Sequence, residues 1–133
     1  MTAAILSWTP AALWAAFIVF LSSRSELPVR SAFPGMDKVG HFLLFAILGA
    51  ALAWGGRRFQ GRGPHLTLLV VGVLFAASDE LHQAFVPQRT PSVGDFVADV
   101  LGLVAGYLVL GALLKSWRSW STTPDPPGRT PGP

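Results

Sequence analysis

The 133-residue chain has no cysteine, which excludes disulfides, thiolate metal sites and cysteine nucleophiles. Charge is also scarce: Asp, Glu, Lys and Arg make up 13% of the residues, about half the share usual in a soluble domain. It is absent altogether from Met1–Ser23, Val39–Gly56, Gly63–Ser78 and Val100–Leu114. A helix on the surface of a soluble bundle needs a polar face, and these segments cannot supply one. A water-soluble bundle, a disordered chain and a nucleic-acid module are thereby excluded, in spite of a net charge of +3. There is no G-x-S-x-G elbow either, so hydrolytic chemistry would need activated water or a carboxylate nucleophile.

What remains is apolar residue, 51% of the chain, gathered into runs close to the length that crosses a bilayer. The pattern predicts an all-α bundle of four transmembrane helices over about 6–22, 37–54, 65–86 and 92–114. Together they form one membrane domain, residues 1–120, with a disordered Pro/Gly-rich tail over 121–133. The opening MTAAILSWTP lacks a basic n-region, so the first segment reads as a span and not as a cleaved signal.

The third segment carries the most information. From His65 to Ser78 there are 14 residues, a rise of about 21 Å, too short for the hydrocarbon core. To span, the helix must continue through Asp79-Glu80-Leu81-His82-Gln83 toward Val86 and stop before Pro87. Ionisable side chains are then drawn into one leaflet, which is costly and calls for a reason.

With four spans, Arg57, Arg58, Arg62, Lys115, Arg118 and Arg129 share one side with a single acid, Asp125. The other side holds Arg24, Arg30, Lys38 and Arg89 against Glu26, Asp37, Asp79, Glu80, Asp95 and Asp99. The positive-inside rule then puts both termini in the cytoplasm and the acidic cluster outside.

The two hairpins resemble each other. Pro28-Val29-Arg30 leads through Pro34 to Asp37 and, four residues on, His41. Pro87-Gln88-Arg89 leads through Pro91 to Asp95 and, four residues on, Asp99. Such a duplication would relate the hairpins by a parallel pseudo-two-fold, with a site at the interface of the repeats. Residues four apart share a helix face, so Asp37 stacks with His41, Asp79 with Gln83 and Asp95 with Asp99. Below Asp99 come Gly102 and Gly106, a small-xxx-small stripe suited to close helix approach and, as one outcome, to oligomerisation.

These residues fall into three ordered motifs: Asp37-Lys38-Val39-Gly40-His41-Phe42, Ser78-Asp79-Glu80-Leu81-His82-Gln83-Ala84-Phe85-Val86-Pro87-Gln88-Arg89, and Ser92-Val93-Gly94-Asp95 through Asp99-Val100-Leu101-Gly102. In that order the chain resembles the VanZ-like family over about residues 15–114. Gln88 stands where the family often has Gly, and Asp99 where it often has Asn. The resemblance implies a small polytopic protein of the bacterial cytoplasmic membrane. It also implies a family-level association with resistance to the glycopeptide teicoplanin.

Structural explanations exist for part of the cluster. Ser92 and Asp95 fit a capping box, Asp37 fits an N-cap, and Arg30 and Arg89 could pair with carboxylates. A functional site is the favoured account of the rest, since ionisable residues within a span are functional by default. On one reading Arg30, Asp37, Lys38, His41, Gln83, Arg89, Asp95 and Asp99 recognise an anionic lipid or lipid-linked cell-envelope head group. On a second, Asp79, Glu80, His82 and His41 are acid–base candidates of a membrane-embedded hydrolase or transferase. No cofactor is expected, with a divalent metal at His41, His82 and nearby carboxylates as the open alternative. A proton- or ion-coupled transport element is the third reading, and it would need an oligomer.

Overall fold

A computed structural model describes residues 2–25 and 35–121. Four α-helices run in order: α1 (Thr2–Ser22), α2 (Met36–Gly55), α3 (Arg62–Gln83) and α4 (Val93–Ser121). The described residues contain no strand. From Met36 to Arg58, Arg62 to Gln83 and Val93 to Trp120 the helices are long and apolar enough to cross a membrane, and α1 adds the shorter apolar stretch Leu6–Ser22. Pro10 lies inside α1 without ending it.

Helix ends differ from the expected ones for identifiable reasons. α2 takes Gly35 as its N-cap, at φ 87°, so Asp37 lies in the first turn and is not the cap. α3 stops at Gln83, short of Val86. Pro87 has no N–H to continue the ladder and disfavours helical backbone before it. The chain tightens into turns instead, with the amides of Ala84, Phe85 and Val86 bonding the carbonyls three residues back. Gln88 sits at φ 66°, in the left-handed region that favours glycine. α4 continues past Leu114, the expected end of the helix, to Ser121, the first residue of the expected tail, with Trp117 and Trp120 exposed. The rest of that expected tail, 122–133, lies outside the described residues.

α2 and α4 form the central crossing. A Cβ on Gly102 would run into the Phe42 carbonyl, one on Gly106 into that of Ala46, and one on Gly49 into that of Leu103. Small residues therefore bring the two backbones together where no side chain fits. The Gly102/Gly106 stripe, read from the sequence as a place of close helix approach, packs against α2 within the chain. Ile18, Phe45, Leu48, Ala76 and Leu103 fill the core. Large apolar side chains such as Leu13, Leu43, Leu74 and Leu108 face outward, as a lipid-solvated bundle requires.

Four long-range polar contacts at one end of the bundle join residues at nearly one offset. Ser22 meets Asp79 at a separation of 57 and Ser23 meets His82 at 59. Lys38 meets Asp95 at 57 and His41 meets Asp99 at 58. Such a constant offset follows where α1 runs beside α3, and α2 beside α4, in the same direction.

Candidate functional site

The cluster occupies the end of the bundle where α1 and α3 finish and α2 and α4 begin. Its acids are deeply placed: Asp79, Glu80 and Asp95 are buried, and Asp99 is 0% exposed. Each is held there by a different partner. The Lys38 ammonium reaches Asp95 at 2.9 Å and Asp37 at 3.6 Å, fastening the start of α2 to the start of α4. Ser22 donates to Asp79 Oδ2 at 2.9 Å, and the buried Gln83 amide shares its protons between Asp79 at 3.3 Å and Glu80 at 3.4 Å. Glu80 accepts the Ser92 amide at 2.8 Å, tying α3 to the N-terminal end of α4.

His41 is the hub. Its Nδ1 lies 3.0 Å from Asp99 Oδ1 and 3.9 Å from Glu80 Oε1. The second Asp99 oxygen, Oδ2, is buried without a hydrogen bond among the described residues. One ligand atom each from His41, Asp79 and Asp99, or from His41, Glu80 and Asp95, fall within 4.8 Å of one another. An imidazole and two carboxylates at that spacing fit a divalent cation, and an imidazole fixed by a carboxylate fits proton transfer.

A cavity of about 290 Å³ opens onto this cluster. Ile18, Leu21, Leu44 and Phe45 line its apolar part, while Asp37, His41, Asp79, Gln83, Arg89 and Asp95 supply the polar part. Glu80 opens on another side, beside Pro91 and Ser92. His82 is exposed and meets Ser23 at 3.0 Å, so it stands apart from His41. Arg89 donates to the carbonyls of Arg24 at 3.1 Å and Leu21 at 3.3 Å, partners that an ion-pair reading of the sequence would not supply. It thereby clips the turn after α3 onto the end of α1. Arg30 lies outside the described residues.

Sequence reasoning passed over Ser22 and Ser23, whose only signal is a polar pair closing an otherwise apolar helix. It also gave no role to His65, whose Nδ1 lies 2.5 Å from the Tyr107 hydroxyl at the opposite end of the bundle. There Arg57 stacks on Trp54 at 4.1 Å, and Arg118 donates to the Arg57 carbonyl.

The chain is similar to "Uncharacterized protein C11E3.10" of Schizosaccharomyces pombe (strain 972 / ATCC 24843), with 37% identity over 90 residues, 66% of this chain and 56% of that protein. It thus spans little more than half the length of that curated relative. No solved structure matches. The VanZ/LLP1 family profile matches residues 2–115, which takes in α1, α2, α3 and most of α4, and the chain belongs to that family.

Proposed function

We propose that the protein binds a membrane lipid by its head group, an anionic lipid or a lipid-linked cell-envelope precursor. The observation that carries this reading is the cavity, whose apolar wall runs directly into the charged groups around His41. An acyl chain would occupy the wall formed by Ile18, Leu21 and Leu44. Arg89, on the cavity wall, brings positive charge to a phosphate, and the carboxylates accept from hydroxyl or amine groups. A cell-wall precursor as ligand would connect the site to the glycopeptide resistance associated with the family.

A cavity-filling substitution tests this. Gly40 lines the cavity and a Cβ there meets nothing within 4 Å, so a larger side chain starts at that position without a Cβ collision. Native mass spectrometry of the gently extracted protein should find a phospholipid retained by the native chain and lost from Gly40→Leu, with the fold intact. Equal retention by both would refute the cavity as the binding place.

A second reading, a hydrolase or transferase acting on the head group, draws on the His41–Asp99 contact at 3.0 Å. Asp99 orients the imidazole, and His41 exchanges protons with water or the leaving group at the cavity floor. Release of the head group from lipid incubated with the purified chain would favour it.

The proposed location is a bacterial cytoplasmic membrane with both termini inside. The chain lacks cysteine, so one can be placed at will. Thr90→Cys should react with an impermeant thiol reagent on intact cells, and Gln60→Cys should not. The reverse pattern would invert the orientation.

A further inference from the structure

We propose that His41, Asp79 and Asp99 form a binding site for a divalent transition-metal cation such as Mn²⁺ or Zn²⁺. One ligand atom from each lies within 4.8 Å of the others, from α2, α3 and α4 respectively. Asp99 is wholly buried, and its Oδ2 has no hydrogen-bond partner among the described residues. A buried carboxylate oxygen left without a donor is costly, and a cation is the partner that would offset it. Asp79 leans the same way, since both of its side-chain bonds fall on Oδ2.

The alternative trio, His41 with Glu80 and Asp95, is already engaged. Lys38 holds Asp95 Oδ1, the Ser92 amide holds Glu80 Oε2, and Gln83 holds Glu80 Oε1. Charge points the same way: Asp79, Glu80, Asp95 and Asp99 are buried together, and against them stand only Lys38 on Asp95 and the single imidazole of His41, near both Asp99 and Glu80, among the described ion pairs. One imidazole with carboxylate oxygens suits Mn²⁺ or Zn²⁺ better than a site of oxygens alone would. His41 and Asp79 also line the cavity, so further coordination positions face it. A phosphate oxygen arriving there would find a cation where the bare site offers a cluster of acids. That last ligand rests on the lipid reading, whereas the cation site itself does not.

The test uses the full chain in phosphatidylcholine nanodiscs, titrated with Mn²⁺ and followed by electron paramagnetic resonance. Loss of the free six-line signal should give one Mn²⁺ per chain. Asp99→Asn and His41→Gln should each weaken binding about tenfold or more, with His82→Ala unchanged. Should His41→Gln fail to fold, the isosteric Asp99→Asn decides, and Mn²⁺ should raise the melting temperature of the native chain and not of that variant. Absence of stoichiometric binding to the folded native chain, or binding unchanged in Asp99→Asn, overturns the site. Lipid retained by a chain that binds no Mn²⁺ would sink the cation site and leave the lipid reading standing. Mn²⁺ bound stoichiometrically by a chain that retains no lipid supports the site and counts against the lipid reading alone.

Discussion

Gly106→Leu should leave the protein unable to form its bundle. The new Cβ would be driven into the Ala46 carbonyl, and a backbone atom has no rotamer by which to retreat. Relief by separating the helices is closed as well, because Gly102 against Phe42 and Gly49 against Leu103 fix the same crossing. Overpacking commonly costs about 1–3 kcal/mol, and with three close approaches moved at once about 3 kcal/mol or more is expected. The site fails with it, since His41 on α2 and Asp99 on α4 meet across that crossing. Gly111→Leu is the matched control on the same helix, where a Cβ meets nothing within 4 Å. Size-exclusion profiles and thermal melting in detergent should show loss of the monodisperse, cooperatively melting species for Gly106→Leu only.

The acidic cluster should divide into groups that hold the bundle and groups that hold a ligand. Glu80 belongs with the first, because it accepts the Ser92 backbone amide and shares Gln83 with Asp79. Glu80→Ala leaves that amide to find another acceptor and should cost about 1.5–3 kcal/mol, the range for hydrogen bonds to a charged group. Asp99 belongs with the second. Asn at that position keeps the shape and an oxygen for His41, while removing a buried charge with one unpartnered oxygen. Its melting temperature, measured in EDTA, should therefore be unchanged or higher, even as lipid and Mn²⁺ binding fall.

Much of this architecture was legible in the chain because the bilayer is a severe solvent. Charge-free runs must be helices when no water can satisfy an open backbone, and the shortfall after His65 required α3 to carry Asp79 and Glu80. The i, i+4 spacing put His41 on the face of Asp37, and Asp99 on that of Asp95. What spacing does not encode is how far each helix turns about its axis relative to its neighbours. His82 is one step from Gln83, yet it faces outward to Ser23 while Gln83 is buried between two carboxylates. The glycine stripe of α4 announced close approach without saying to what, and α2 rather than a second copy fills it. Arg89 was legible as a charge but not as a donor to main-chain carbonyls, which carry no signature in sequence. Ser22 likewise becomes meaningful only once α1 has docked beside Asp79.

On the proposed reading, His41 and its carboxylates are kept to hold a ligand and not to staple helices. Values measured side by side for the native chain and Asp99→Asn separate the two roles: the melting temperature in EDTA, and the Mn²⁺ and phospholipid retained per chain by native mass spectrometry. An undiminished melting temperature is expected together with loss of the retained ligand. A variant that melts far below the native chain, or one that keeps both its lipid and its Mn²⁺ in full, would overturn that reading.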